Sequence, residues 1–107
     1  MRGVILPIVA LALMGAGRPA PQPMSQNERA YTITLICYVI SANDRDAAGN
    51  ARSLDAARKM ATALGYSNER LSHDIGTMVS VVGVQLRNEP ATVDRNRGIC
   101  RQLGLIG

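Results

Sequence analysis

Few residues of this chain have the types and spacing to do chemistry. Ser72, His73 and Asp74 are the three types of a hydrolytic triad, in which a base takes the proton of a nucleophilic hydroxyl and a carboxylate orients the base. They are consecutive, however, and consecutive positions on a helix point about 100° apart, so the three side chains are expected to diverge. His73 is the only histidine and falls opposite the apolar stripe of its segment, where a solvent-exposed residue belongs. The nearest thing to a carboxylate pair is Asp44 with Asp46, and their setting, Asn43-Asp44-Arg45-Asp46, reads as loop and capping residues. One His and two Cys make no metal cluster, and the chain carries no Cys-x-x-Cys, no haem-attachment motif and no phosphate-cradling Gly-rich loop. No catalytic residue, metal ligand or cofactor is expected.

The two cysteines, Cys37 and Cys100, are better used on each other. Met1-Arg2, an apolar run from Val4 to Met14 and the small residues Gly15-Ala16-Gly17 have the layout of a secretory signal. The run is shorter than the roughly 20 residues a membrane-spanning helix needs and carries Pro7. Two Cys in an exported chain allow one intramolecular disulfide, so Cys37–Cys100 is expected to staple the fold. The reading is therefore a signal peptide over 1–17, a spacer over 18–24 stiffened by Pro19, Pro21 and Pro23, and one helical domain over 25–107, periplasmic or secreted after cleavage.

Charge adds one more candidate. Of the 12 basic residues all but Lys59 are arginine, against 8 acidic, for a net charge of +4. Arg95, Arg97 and Arg101 cluster in the last segment as a possible partner surface. A nucleic-acid role is not expected, because Asp94 and Glu89 interrupt the cluster, export removes the partner, and no aromatics are interleaved for base stacking.

The elements that must position these groups read as about four helices. Ser25-Gln26-Asn27-Glu28 is a capping box, and a helix from it runs to about Ala42. Tyr31, Leu35, Tyr38, Val39 and Ala42 lie on one face and Ile33, Ile36, Cys37 and Ile40 nearly opposite, as in a central helix. Residues 31–40 are also good strand formers, as are residues 78–86; the cap favours helix in the first case. A second helix, starting near Asp46 or Asn50 and ending at Leu64 before Gly65, presents Ala47, Leu54, Ala57, Ala61 and Leu64, an alanine-rich face suited to close helix approach. A third, capped by Ser67 or Asn68, carries the stripe Leu71, Ile75, Met78, Val79, Val82 and Leu86, with Ser72, Gly76 and Gly83 as a packing groove beside it. The fourth begins at Pro90, points Val93, Cys100 and Leu103 inward, and stops at Gly104 with Leu105 and Ile106 folding back.

In size and single-disulfide helical form the chain resembles periplasmic acid-stress chaperones and some immunity proteins against secreted toxins, a likeness of class with no shared motif. The expected architecture is all-α, a small bundle whose first and last helices are joined by the disulfide. The expected function is non-catalytic binding of another exported or envelope protein, through the second and third helices or the arginine end. The alternative is an envelope-associated structural or stress protein making weak contact with anionic membrane surfaces. With 47% apolar residues but no Phe and no Trp, the core is aliphatic, which weakens the case for a large ligand pocket.

Overall fold

A computed structural model describes residues 24–107. The apolar segment 1–17, and all of the spacer except Met24, lie outside the described residues. Four helices follow in order: α1 Gln26–Asn43, α2 Ala47–Leu64, α3 Asn68–Asn88 and α4 Pro90–Gln102. Both stretches with competing strand character, 31–40 and 78–86, are helical. The capping box forms as the sequence predicts: the Glu28 amide donates to Ser25 Oγ at 3.1 Å and the Ser25 amide to Glu28 Oε1 at 2.8 Å. Two donors otherwise orphaned at the helix start are satisfied there, which tips the β-branched run after it into helix.

α1 is the hub, packing against α2, α3 and α4. Its two apolar faces serve two cores. Tyr31 and Leu35 bury against Ala57 and Ala61 of α2 and Leu71 of α3. Cys37, Val39 and Ile40 bury with Val82, Val93, Cys100 and Ile106. Met78 touches both cores. Val39 thus sides with the second core and Ala42 is exposed, a shift from the predicted faces.

The α1–α2 seam is built on small residues. Gly49, Ser53, Ala57 and Ala61 recur every fourth position, all buried, so the two helices approach closely along one i, i+4 row. At Gly49 any side chain would run into the Asp46 carboxylate and come within 3.0 Å of the Ile106 Cα. The buried hydroxyls along the seam have partners: Ser53 Oγ donates to the Leu105 carbonyl at 3.2 Å, and Ser41 Oγ donates to Tyr38 O and accepts from Asn50 Nδ2. Ala47, predicted on this face, is exposed, because the helix starts with it and the close contact begins one turn further on.

The turns follow their residues. Asp46 caps α2 through the Gly49 amide, and Gly65 ends it in the left-handed region at φ 75°. Arg45 adopts the same region at φ 59° without glycine's freedom, a strained corner held by the two helices it joins.

Three further predictions need correction. Val79 lies 51% exposed, because the buried stripe of α3 is narrow: only Leu71 and Val82 are fully buried, with Ile75, Met78 and Leu86 half-buried. The small residues beside it form no groove within the chain. Ser72 and Gly76 are exposed, and a Cβ at Gly76 would meet no atom within 4 Å. A mid-helix glycine costs up to ~1 kcal/mol relative to alanine, at Gly76 without any intrachain packing in return. Leu103 is the third, lying 55% exposed rather than inward. α4 ends at Gln102, the chain turns through Gly104 at φ 72°, and this swings Leu103 out while Ile106 enters the core in its place.

Candidate functional site

The disulfide is formed. Cys37 from the middle of α1 and Cys100 from α4 bond across a Cα separation of 5.6 Å, both fully buried, and join the first helix to the last.

The hydrolytic types diverge as their spacing requires. Ser72 and His73 are exposed, whereas Asp74 turns inward toward α1. Its Oδ2 accepts from Tyr31 Oη at 2.7 Å and from Arg70 Nε at 2.9 Å. The Arg70 guanidinium lies 4.0 Å over the Tyr66 ring, and Tyr66 meets Tyr31 edge to face at 5.2 Å. Sequence reasoning passed over this cluster, although the Arg70/Asp74 i, i+4 pair and the near-absence of other aromatics signal it. Burial pushes the Tyr31 hydroxyl far above its ordinary range, and the Asp74 carboxylate adds to the push. The Tyr31–Asp74 bond ties α1 to α3 beside a cleft of about 200 Å³ lined by Glu28, Thr32, Tyr66 and Asp74.

The arginine end is only partly a surface. Arg97 reaches back across the fold, donating from Nε to Asp44 Oδ2 at 2.8 Å and from Nη2 to Asp44 Oδ1 at 3.0 Å, while Nη1 meets Asp94 at 2.5 Å. This two-pronged pair ties α4 to the corner after α1, and its charge is met by two carboxylates. Arg101 Nε donates to the Gly107 carbonyl, and Arg95 is exposed. The hydrogen bonds from Arg97 hold the Asp44 carboxyl below its usual range. Because the folded value is depressed, Asp44 contributes stability that is complete above the unfolded value of about 3.9 and is lost as pH falls through the folded one. Thermal melts from pH 6 to pH 2 should show Asp44→Asn less stable by about 1 kcal/mol at pH 6 and falling less steeply than the parent below pH 4.

A different site is built by residues 103–107, which hook back over the start of α2. Arg52 Nε donates to the Gly104 carbonyl at 3.1 Å, Ser53 Oγ to the Leu105 carbonyl, and the Gly107 amide to Asp46 Oδ2 at 2.9 Å. The Gly107 and Gly49 amides together draw the Asp46 carboxyl below its ordinary range. So held, Leu103 and Leu105 form one wall of an apolar groove of about 400 Å³; Ile33 of α1 and Met60 of α2 form the others, over a floor opened by Ala30 and Ala56. Lys59 stands at its lip, paired with Asp55 at 3.0 Å. The helical walls have a sequence signal, a small and an apolar residue one turn apart on each helix, Ala30 with Ile33 and Ala56 with Met60. The turn at Gly104 and the return of Leu105 and Ile106 are legible in the sequence too, whereas the three tertiary hydrogen bonds that seat the hook are not.

No family model, curated protein or solved structure matches this chain. Among the described residues, no three His, Cys, Asp or Glu side chains gather to hold a metal, and no helix is long and apolar enough to cross a membrane.

Proposed function

We propose that this chain is a non-catalytic exported protein that works by binding another protein, and that the groove between α1, α2 and the hook receives apolar side chains of that partner. One observation carries the reading: Leu103, more than half exposed in a chain with few large apolar groups to spare, is held at the mouth of a preformed aliphatic groove by hydrogen bonds to the carbonyls of the two residues that follow it. Apolar surface kept out of a small core is surface suited to a partner, and a rigid groove binds without first losing conformational entropy. The buried disulfide and the sequence's signal-like start support an oxidising compartment for the encounter. Arg97 is committed to Asp44 and Asp94, so the arginine end offers Arg95 and Arg101 as flanking contacts rather than an anchor.

A photoreactive residue in place of Leu103, in the full chain expressed in its native cell, tests this. A discrete protein adduct is expected, reduced at least about tenfold by Ala56→Arg, which fills the groove floor, and absent when the photoreactive residue replaces Arg58. An unaltered melt for Ala56→Arg keeps the comparison clean. An adduct indifferent to Ala56→Arg, or none at all, would overturn the groove as the binding site.

A further inference from the structure

α3 presents an outer face that the bundle leaves unpartnered, with a charge at each end that no other described side chain answers. Glu69 in its first turn and Arg87 in its last are exposed and belong to none of the ion pairs among the described residues. They are eighteen positions apart, which at 3.6 residues per turn is five whole turns, so they project in the same direction about 27 Å apart along the axis. Between them on this face lie His73, Gly76, Ser80, Gly83 and Val84, the last 43% exposed.

We propose that a second copy of this chain covers this face, its α3 antiparallel to the first and the two-fold axis passing at the level of Met78. That arrangement is selected by charge. Antiparallel pairing about Met78 sets Glu69 of each copy against Arg87 of the other, one opposite-charge pair at each end, whereas parallel pairing in register sets like against like. The shapes between the charged ends agree with it. On one rim Ser72 of each copy lies within one residue's rise of Gly83 of the other, and the two Gly76 positions flank the axis, so the backbones can approach closely. On the opposite rim His73 of each copy lies within one residue's rise of Val84 of the other, a ring against an aliphatic side chain. The open space at Gly76, where a side chain would touch nothing of its own chain, is the space the second helix occupies. A single helix pair is small against the roughly 1,200 Å² of a stable interface, so the dimer is reversible and concentration-dependent. This inference concerns a face separate from the α1–α2 groove and stands or falls independently of it.

Sedimentation equilibrium of the full chain over a concentration series reads the outcome. The weight-average mass should rise toward twice the monomer value. Glu69→Arg alone and Arg87→Glu alone should each weaken self-association about tenfold or more, by turning two attractive pairs repulsive, and the double variant should restore it to within about threefold of the parent. Gly76→Leu should leave a monomer whose thermal melt is no lower than the parent's. A chain monomeric at every concentration overturns the proposal, as does a dimer that ignores both charge reversals or survives Gly76→Leu.

Discussion

Replacing both Cys37 and Cys100 by alanine should lower the thermal midpoint by roughly 15–30 °C, the largest effect expected of any change in this chain. The bond closes a span of 63 positions. Removing it returns that loop to the unfolded ensemble, which in the chain-entropy model costs about 4 kcal/mol, and in a domain of this size each kcal/mol shifts the midpoint by about 4–8 °C. Little else in the fold compensates. The core around the bond consists of Val39, Ile40, Val82, Val93 and Ile106, with the half-buried Tyr38 as the one aromatic packed against it, and α4 otherwise holds to the bundle through the Arg97–Asp44 pair and the hook. Because both sulfurs sit in that core, fully buried, the alanine variant also leaves unfilled volume where two helices meet. Calorimetry of the parent in strong reductant should approach the double-alanine result. A midpoint within about 5 °C of the parent would mean that the hook and core hold α1 to α4 without the covalent link.

Why this bond could be read from the sequence, while the groove could not, follows from what each depends on. Two cysteines after a signal-like segment have one intramolecular pairing open to them, and covalent chemistry needs no packing argument. The capping box at Ser25 and Glu28, the αL position of Gly65 and Pro90 at the start of α4 are equally local, settled within a few residues of chain. Leu103 is the opposite case. On a helical wheel it continues the inward face of Val93 and Cys100, but the wheel ceases to apply where the helix ends, and the helix ends because Gly104 turns left-handed and the hook is drawn onto Arg52, Ser53 and Asp46, about 50 to 60 positions away. Asp74 is similar. Its neighbours Ser72 and His73 suggest a reaction, whereas its role is fixed by Tyr31, 43 positions earlier, whose buried hydroxyl needs an acceptor. Arg97 looked like surface charge until the corner at Asp44 was placed beside it.

Small residues show the same limit most sharply, and they yield the second large effect. The sequence carries two such rows, Ala57 and Ala61 on α2 and Ser72, Gly76 and Gly83 on α3, and nothing local tells them apart. The fold uses only the first. Ala57 is fully buried and sits between Ser53 and Ala61 in the row on which α1 rests, so Ala57→Leu would add three carbons where the backbones are closest, with Tyr31 and Leu35 already filling the space around it. Overpacking of this kind typically costs 1–3 kcal/mol, and the upper end, about 3 kcal/mol, is expected here because the seam is pinned by Asn50 to Tyr38 O at 2.9 Å and by Ser53 to the hook, so the helices cannot part without breaking those bonds. The midpoint should fall by roughly 12–24 °C. Gly76→Leu puts the same side chain, one added carbon more, on the other row and should do the reverse. With no atom of its own chain within 4 Å of the new Cβ, it gains helix propensity, up to about 1 kcal/mol, and meets no clash within the monomer. Chemical denaturation of the two variants beside the parent decides the matter: equal losses would mean that α3 also packs tightly within one chain, and loss at Ala57 alone would assign the intrachain seam to α2.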